Sequence, residues 1–385
     1  MKSILFVLDE LLPVRGAPQV RIQNLWSALT EWRRYAIGGR TAPCEEPPGV
    51  SLLARPSERA PLSFLVFLCS LGRRAKVLAR SLRPDIIVLS VPKYEMLLFA
   101  PALKRCTPHL ILDFRDSLAF LDYGAYLSHF LPRPLARRLG ALLSKINAVL
   151  RDRALKAAEV VTVANEGIAQ SIEHQRVEVI PNGVDTDTFK PEGKSWFDGS
   201  RPLRLVYLGN FAEKDLFDWV ALCKGRGDLE VHLIGEGRNR DRVIQQLQGV
   251  SVVAHGVVPH EELPRLLLEM DIGFIFRAPG VEHSVPVCLF EYAAMNIPCV
   301  CNRAGMMADF VERNELGYVV RDGAELQTLI AEIRRNPASL GRFQQLHQRA
   351  DQGFSLRSSR ERFVALVENL TGGNSSSHSE VKLLN

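Results

Sequence analysis

Lys2-Ser-Ile-Leu-Phe-Val-Leu8 is the stretch whose reading decides the fold. Nearly every side chain in it is apolar, rather than every second one, and strands of that texture are covered on both faces, as in parallel sheets. The texture returns at 85–90, 109–113, 158–163 and 177–180, with helical patterns between. This alternation predicts a doubly wound α/β domain. After Pro181-Asn-Gly-Val-Asp185 it pauses through a polar segment containing Gly and Pro. It restarts at 203–208, 229–234, 251–254, 272–276 and 298–302, with helices over 261–269 and 287–294. Two tandem Rossmann-like domains are expected, 1–190 and 203–356, joined by a linker at 191–202. A last helix over 357–370 precedes a tail, 371–385, whose composition cannot bury a core and which is expected to be disordered.

With 385 residues, 24% charged and 46% hydrophobic, the chain has an ordinary soluble composition and mass enough for two domains. The longest uncharged apolar run, 60–71, is shorter than the roughly 20 residues of a membrane-spanning helix. The first residues enter a strand pattern without a signal-peptide layout. Seven cysteines with no Cys-x-x-Cys describe neither a disulfide framework nor a zinc site, and Cys299 and Cys301 read as buried neighbours on one strand. A cytoplasmic protein is expected, peripheral at most on the inner face of a membrane. Charge is uneven: residues 1–190 hold 26 Lys+Arg against 18 Asp+Glu, while residues 191–385 hold 22 against 25. A basic first half fits an anionic surface, and equally a solvated face with no partner.

Tandem Rossmann-like domains bind ligands at the C-terminal ends of their strands. A dinucleotide site would need Gly-x-Gly-x-x-Gly after the first strand, which instead runs into Asp9-Glu-Leu-Leu-Pro-Val-Arg-Gly-Ala-Pro18. Gly235-Glu-Gly237 does follow a strand, but Arg240 holds the third glycine position. The two glycines fit a plain strand-to-helix turn as well as a ligand loop.

Several motifs in order narrow the choice. Val179-Ile-Pro-Asn-Gly-Val-Asp-Thr-Asp-Thr-Phe189, Leu205-Val-Tyr-Leu-Gly209 with Lys214, Leu233-Ile-Gly-Glu-Gly237, His255-Gly-Val-Val-Pro259 and Leu289-Phe-Glu-Tyr-Ala-Ala-Met-Asn-Ile-Pro298 resemble the successive signatures of family 4 retaining glycosyltransferases, glycosyl transferase group 1. The resemblance covers roughly residues 1–365. It implies the GT-B architecture: an N-terminal acceptor domain and a C-terminal nucleotide-sugar domain facing each other across a cleft, with a C-terminal helix returning to the first domain. It also implies metal-independent, retaining transfer from a UDP- or GDP-type donor to a glycan or lipid-linked acceptor, with no further cofactor, in cell-surface polysaccharide biosynthesis.

The resemblance assigns roles by position. Lys214 stands at the phosphate-binding lysine, and Asn210 replaces its arginine companion, offering a hydrogen bond but no charge. Glu236 lies on the loop after a strand. Pro286, Val287, Cys288 and Leu289 open a helix whose unpaired N–H groups suit a diphosphate. Glu291 matches the glutamate that accepts from ribose hydroxyls, or is a buried structural acid. His283 stands where the family has its first glutamate, Cys288 where a subgroup has lysine, and Asn296 where glycine is usual. These departures keep open a catalytically degenerate GT-B protein that binds a sugar nucleotide or a partner, and a nucleotide-sugar epimerase on the same fold. In the first domain, Gly16 suits close backbone approach to the donor or an ordinary turn. Arg115 and Asp116 follow the strand at 109–112. Arg115 takes the place of a histidine in many relatives, and Asp116 orients an acceptor hydroxyl or caps the next helix. Arg115, Asp116 and His283 are the catalytic candidates.

Two basic helices remain. Arg73, Lys76, Arg80 and Arg83 are spaced for one helix face. Arg137, Arg138, Lys145, Arg151, Arg153 and Lys156 edge a second helix with an apolar stripe of Leu135, Leu139, Leu142, Ile146 and Val149. Each fits an anionic lipid surface, or a core stripe with a solvated back. No aromatic-interleaved basic platform for nucleic acid occurs.

Overall fold

The computed structural model describes residues 1–12, 17–56, 61–91, 94–115, 132–212, 215, 217, 219–278 and 285–372. They form two compact units, Met1–Asn182 joined by the chain from Ser359 onward, and Gly183–Ser358. The expected tail beyond 372 lies outside the described residues.

In the first unit, seven parallel strands run in the order β3-β2-β1-β4-β5-β6-β7. They are β1 (Ser3–Val7), β2 (Arg33–Arg40), β3 (Val50–Ala54), β4 (Ile86–Val91), β5 (His109–Phe114), β6 (Val160–Val163) and β7 (Val177–Val179). Alternate residues feed two cores: Leu5, Val7, Ile87 and Leu89 on one face, Ile4, Phe6, Ile86 and Val88 on the other. This explains the continuous apolar texture of β1 and β4. The helices are α1 (Ala17–Ser27), α2 (Pro61–Leu82), α3 (Ala100–Lys104), α4 (Arg133–Ala157) and α5 (Glu166–Gln170). Strand order reverses between β1 and β4, the kind of position where open α/β sheets bind ligands.

The second unit has six parallel strands in the order β10-β9-β8-β11-β12-β13. These are β8 (Leu203–Leu208), β9 (Leu229–Ile234), β10 (Ser251–Gly256), β11 (Ile272–Ile275), β12 (Cys299–Asn302) and β13 (Gly317–Val320). Its helices are α6 (Trp219–Cys223), α7 (Arg240–Gln246), α8 (Leu263–Leu267), α9 (Val287–Ala294), α10 (Gly305–Arg313), α11 (Gly323–Arg335) and α12 (Leu346–Phe354). The reversal here lies between β8 and β11. Cys299 and Cys301 are buried on β12 as expected. The final helix, α13 (Leu356–Leu370), sets Phe363, Leu366 and Val367 into the β1 side of the first unit's core. Glu368 accepts from Trp32 Nε1 at 2.9 Å and pairs with Lys2.

Two sequence expectations change, and one choice left open is decided. The units meet at Asn182–Gly183, and residues 191–202 pack onto the second unit instead of linking. There Phe197 is buried, Arg201 grips Asp271 through two hydrogen bonds of 2.7 and 2.8 Å, and Lys194 Nζ donates to Met270 O. Burial lowers the Lys194 ammonium to about 8. Arg83 lies beyond the end of α2 with φ 46°, so it leaves the helical face shared by Arg73, Lys76 and Arg80. The apolar stripe of α4 does not enter the core: Leu135, Leu139, Leu142, Ile146 and Val149 are exposed. No helix among the described residues is long and apolar enough to cross a membrane.

Candidate functional site

In the second unit, two loops leave the strand ends beside the reversal and press backbone to backbone. Gly235 has φ 117° and Gly237 φ 153°, conformations that side-chained residues rarely adopt. A Cβ at Gly235 would meet Gly209 O at 1.9 Å, and one at Gly237 would meet Asn210 O at 1.7 Å. The glycines therefore serve the close approach of the β8 and β9 loops. Between those strand ends, Phe211 is fully buried with φ 45°. A bulky residue held there marks a backbone over-determined by its surroundings. Its ring lies against Tyr207 and Phe217, with centroids at 4.6 and 5.7 Å. Asn210 and Glu236, which flank this junction, are exposed, and Glu236 lies 3.9 Å from Arg240.

Across the reversal, two residues beyond β11, Arg277 donates its backbone N–H to Asn302 Oδ1 at 2.8 Å while Asn302 Nδ2 donates to Arg277 O at 2.9 Å. Its buried guanidinium pairs with Asp215, which also accepts from the Tyr207 hydroxyl at 3.2 Å. The positive charge at this strand end is thus already matched. Sequence reading missed both residues, although a lone arginine closing the apolar run 272–276 was a visible signal.

Helix α9 begins at Pro286, which adds no side-chain cap. Leu289 N–H returns to Pro286 O at 3.1 Å, whereas the N–H groups of Val287 and Cys288 belong to the first turn and have no intrahelical acceptor. Pro286, Val287 and Cys288 are half-buried. The Leu289 side chain is fully buried in the core. Burial, with the charge of Glu291 adding to it, pushes the Cys288 thiol far up and keeps it protonated. It cannot serve as a cation or as a ready thiolate nucleophile.

Glu291, one turn into α9, is 7% exposed, and its Oε1 receives His260 Nε2 at 3.2 Å. His260 was not among the sequence candidates, because a pair 31 residues apart is invisible to local pattern. Its ring lies 5.0 Å from Phe189 and is more than half exposed. The hydrogen bond to Glu291 raises the imidazole above its ordinary value, burial opposes this, and Asp185 and Glu261 add to it. Asn296, where glycine was expected, has φ 55°. Asparagine tolerates that conformation, and its Oδ1 accepts from His347 N at 2.7 Å, so the substitution is structurally satisfied. A groove of about 650 Å³ lined by Asp215, Lys224, Asn239 and Arg242 opens nearby but touches neither Glu291 nor α9.

In the first unit, charged residues gather where β1 and β5 end. Arg115 Nη2 pairs with Asp9 at 2.9 Å, both nearly buried, and Arg55 reaches the other oxygen of Asp9 at 3.4 Å. Arg115 Nε is buried with no hydrogen-bond partner among the described residues. Asp113, fully buried, accepts from Arg21 Nη2 and Thr162 Oγ1, each at 2.7 Å. Arg21 also donates to Ile180 O, fastening the chain just before it leaves the unit. Gly16, Asp116, Lys214 and His283 lie outside the described residues.

Residues 202–336 match the family model for glycosyl transferases group 1. The amylovoran biosynthesis glycosyltransferase AmsK of Erwinia amylovora is 25% identical over 189 residues, 44% of this chain and 44% of that protein's length. The sucrose-phosphate synthase of Thermosynechococcus elongatus matches with TM-score 0.72 at 14% identity, over 97% of this chain and 100% of the other. HepE of Anabaena, solved in complex with UDP, matches with TM-score 0.67 at 17% identity, over 96% and 100%. At such identities the structural likeness speaks for the fold. The chain therefore has the GT-B fold, and its residues 202–336 carry the signature of glycosyl transferases group 1.

Proposed function

We propose that the chain is a retaining, metal-independent glycosyltransferase that moves a sugar from a UDP- or GDP-type donor to a glycan or lipid-linked acceptor. Its setting is cell-surface polysaccharide biosynthesis in the cytoplasm. The observation that carries the reading is Glu291: a buried carboxylate inside α9, bonded to a half-exposed histidine that a ligand can displace. A carboxylate presents paired acceptors for a ribose diol. The start of α9, three to four residues earlier, offers the N–H groups of Val287 and Cys288 and the positive end of the helix dipole to the diphosphate. When the bond between the anomeric carbon and the diphosphate oxygen breaks, negative charge grows on the leaving group, where those donors stabilise it. By the family resemblance, Lys214 is assigned to the donor phosphates as a cation. The amylovoran role in AmsK's name and the UDP bound to HepE agree with this reading.

One observation favours a binding-only protein: Arg277 is neutralised by Asp215, and Asn210 and Cys288 bring no charge. Incubation with UDP- and GDP-sugars, with release of the nucleoside diphosphate and the anomer of the product followed by NMR, separates the two. Release that survives EDTA, with retained configuration when an acceptor is supplied, supports the transferase. An inverted product, or activity lost in EDTA and restored by Mg²⁺ or Mn²⁺, contradicts it. Binding without turnover selects the second reading.

A further inference from the structure

Leu135, Leu139, Leu142, Ile146 and Val149 recur along α4 at intervals of four, three, four and three, which places them in one stripe about 21 Å long. Each is 37–54% exposed. The buried residues of α4 are Ala136, Gly140, Ala154 and Leu155, so the larger part of its apolar surface faces away from the sheet. Single exposed leucines need no explanation, but a continuous row does.

Charge around the stripe is one-sided. No carboxylate occurs from Arg133 to Arg151, and the one acid of the helix, Asp152, sits 3.7 Å from Arg151. At 100° per residue, Arg138, Lys145 and Lys156 fall along one border of the stripe and Arg153 falls within it, all exposed. Helix α2 adds exposed Leu65, Val66 and Val77 with exposed Arg73, Arg74 and Arg80. Both helices pack against α3 and the 3₁₀ turn Tyr94–Phe99, whose Leu98 is also exposed. The apolar and basic residues thus share one layer of the first unit.

We propose that α4, with α2 in the same layer of helices, docks this unit reversibly on an anionic lipid surface. The apolar row enters the boundary between headgroups and acyl chains, and the cationic border meets the lipid phosphates. A second copy of the chain is the poorer occupant, since stripe against stripe would bring cationic borders together with hardly a carboxylate to pair them. The proposal does not depend on the transferase reading.

Flotation of the full chain with phosphatidylcholine vesicles, with and without phosphatidylglycerol, tests it. Binding should require phosphatidylglycerol and weaken several-fold at high salt. Leu142→Glu/Ile146→Glu should reduce it about tenfold or more, and Arg138→Gln/Lys145→Gln by several-fold. All four positions are exposed, so thermal melting and UDP affinity should match the parent chain. Equal recovery with both vesicles, or undiminished binding by the glutamate variant, would overturn the proposal. So would a dimer in light scattering that this variant dissociates, which would assign the stripe to a second copy.

Discussion

Removal of His260 isolates the electrostatics of the ribose position. In the free protein its Nε2 lies 3.2 Å from Glu291, with Asp185 and Glu261 the other charges acting on it, and Glu291 holds it above the ordinary histidine value of 6.5. A ribose diol that takes the carboxylate must displace this ring. Below pH 6.5 the imidazole is protonated and an ion pair is lost on displacement. Above the raised value it is neutral and leaves at little cost. Because the ring is more than half exposed, solvent screening limits the pair to about 0.2–1 kcal/mol. Affinity for UDP should therefore rise roughly 1.5- to 5-fold as pH climbs through this window. Titration calorimetry of parent and His260→Ala across the window is the assay. The ligand's own phosphate titration is common to both proteins and cancels in the ratio of their affinities. The variant should bind more tightly than the parent at low pH and converge with it at high pH. A ratio constant with pH would refute the reasoning.

Three further outcomes probe the scaffold. Gly237→Ala places a methyl group against Asn210 O, backbone against backbone, and should cost on the order of 3 kcal/mol in urea unfolding; a loss under about 1 kcal/mol would deny the close approach. Asp113→Ala strands the buried Arg21 guanidinium and should cost about 3–5 kcal/mol, so an unchanged urea midpoint would deny its anchoring role. Asn296→Gly keeps the left-handed conformation and loses only the bond to His347, about 1 kcal/mol, whereas Asn296→Ala adds about 1–2 kcal/mol of backbone strain. Melting temperatures should therefore fall further for alanine than for glycine, and the reverse order would contradict the account.

The central strands were legible because burial on both faces writes an unbroken apolar run: β8 and β9 fall on the residues expected, and β1, β4 and β5 within one or two. Strand β2 escaped notice because it starts Arg33-Arg34 and contains Gly38 and Gly39, which read as loop. Those glycines are needed there, since a Cβ at Gly39 would meet Asp9 O at 2.4 Å. The outer strands β3 and β13 are short and only partly buried, so they carry little hydrophobic signal. In the site, Glu291 and the opening of α9 were readable from local motif. His260 and the Arg277–Asp215 pair were not, because long-range pairing leaves no periodicity behind. For α4 the pattern itself was clear but its direction was not. A 4-3-4-3 stripe looks the same whether it faces a core or solvent, and only the fold shows that it faces out.

The claim on which the rest stands is that the second unit binds a nucleoside diphosphate through Glu291. Calorimetric titration of UDP and GDP into the parent chain and into Glu291→Gln tests it most directly. The account predicts saturable binding of at least one of the two at one site per chain. The variant should lose about 1.5–3 kcal/mol, roughly 10- to 150-fold in Kd, as expected for a hydrogen bond to a charged group. Equal affinity in the folded variant, or no binding of either nucleotide to the parent, would contradict it.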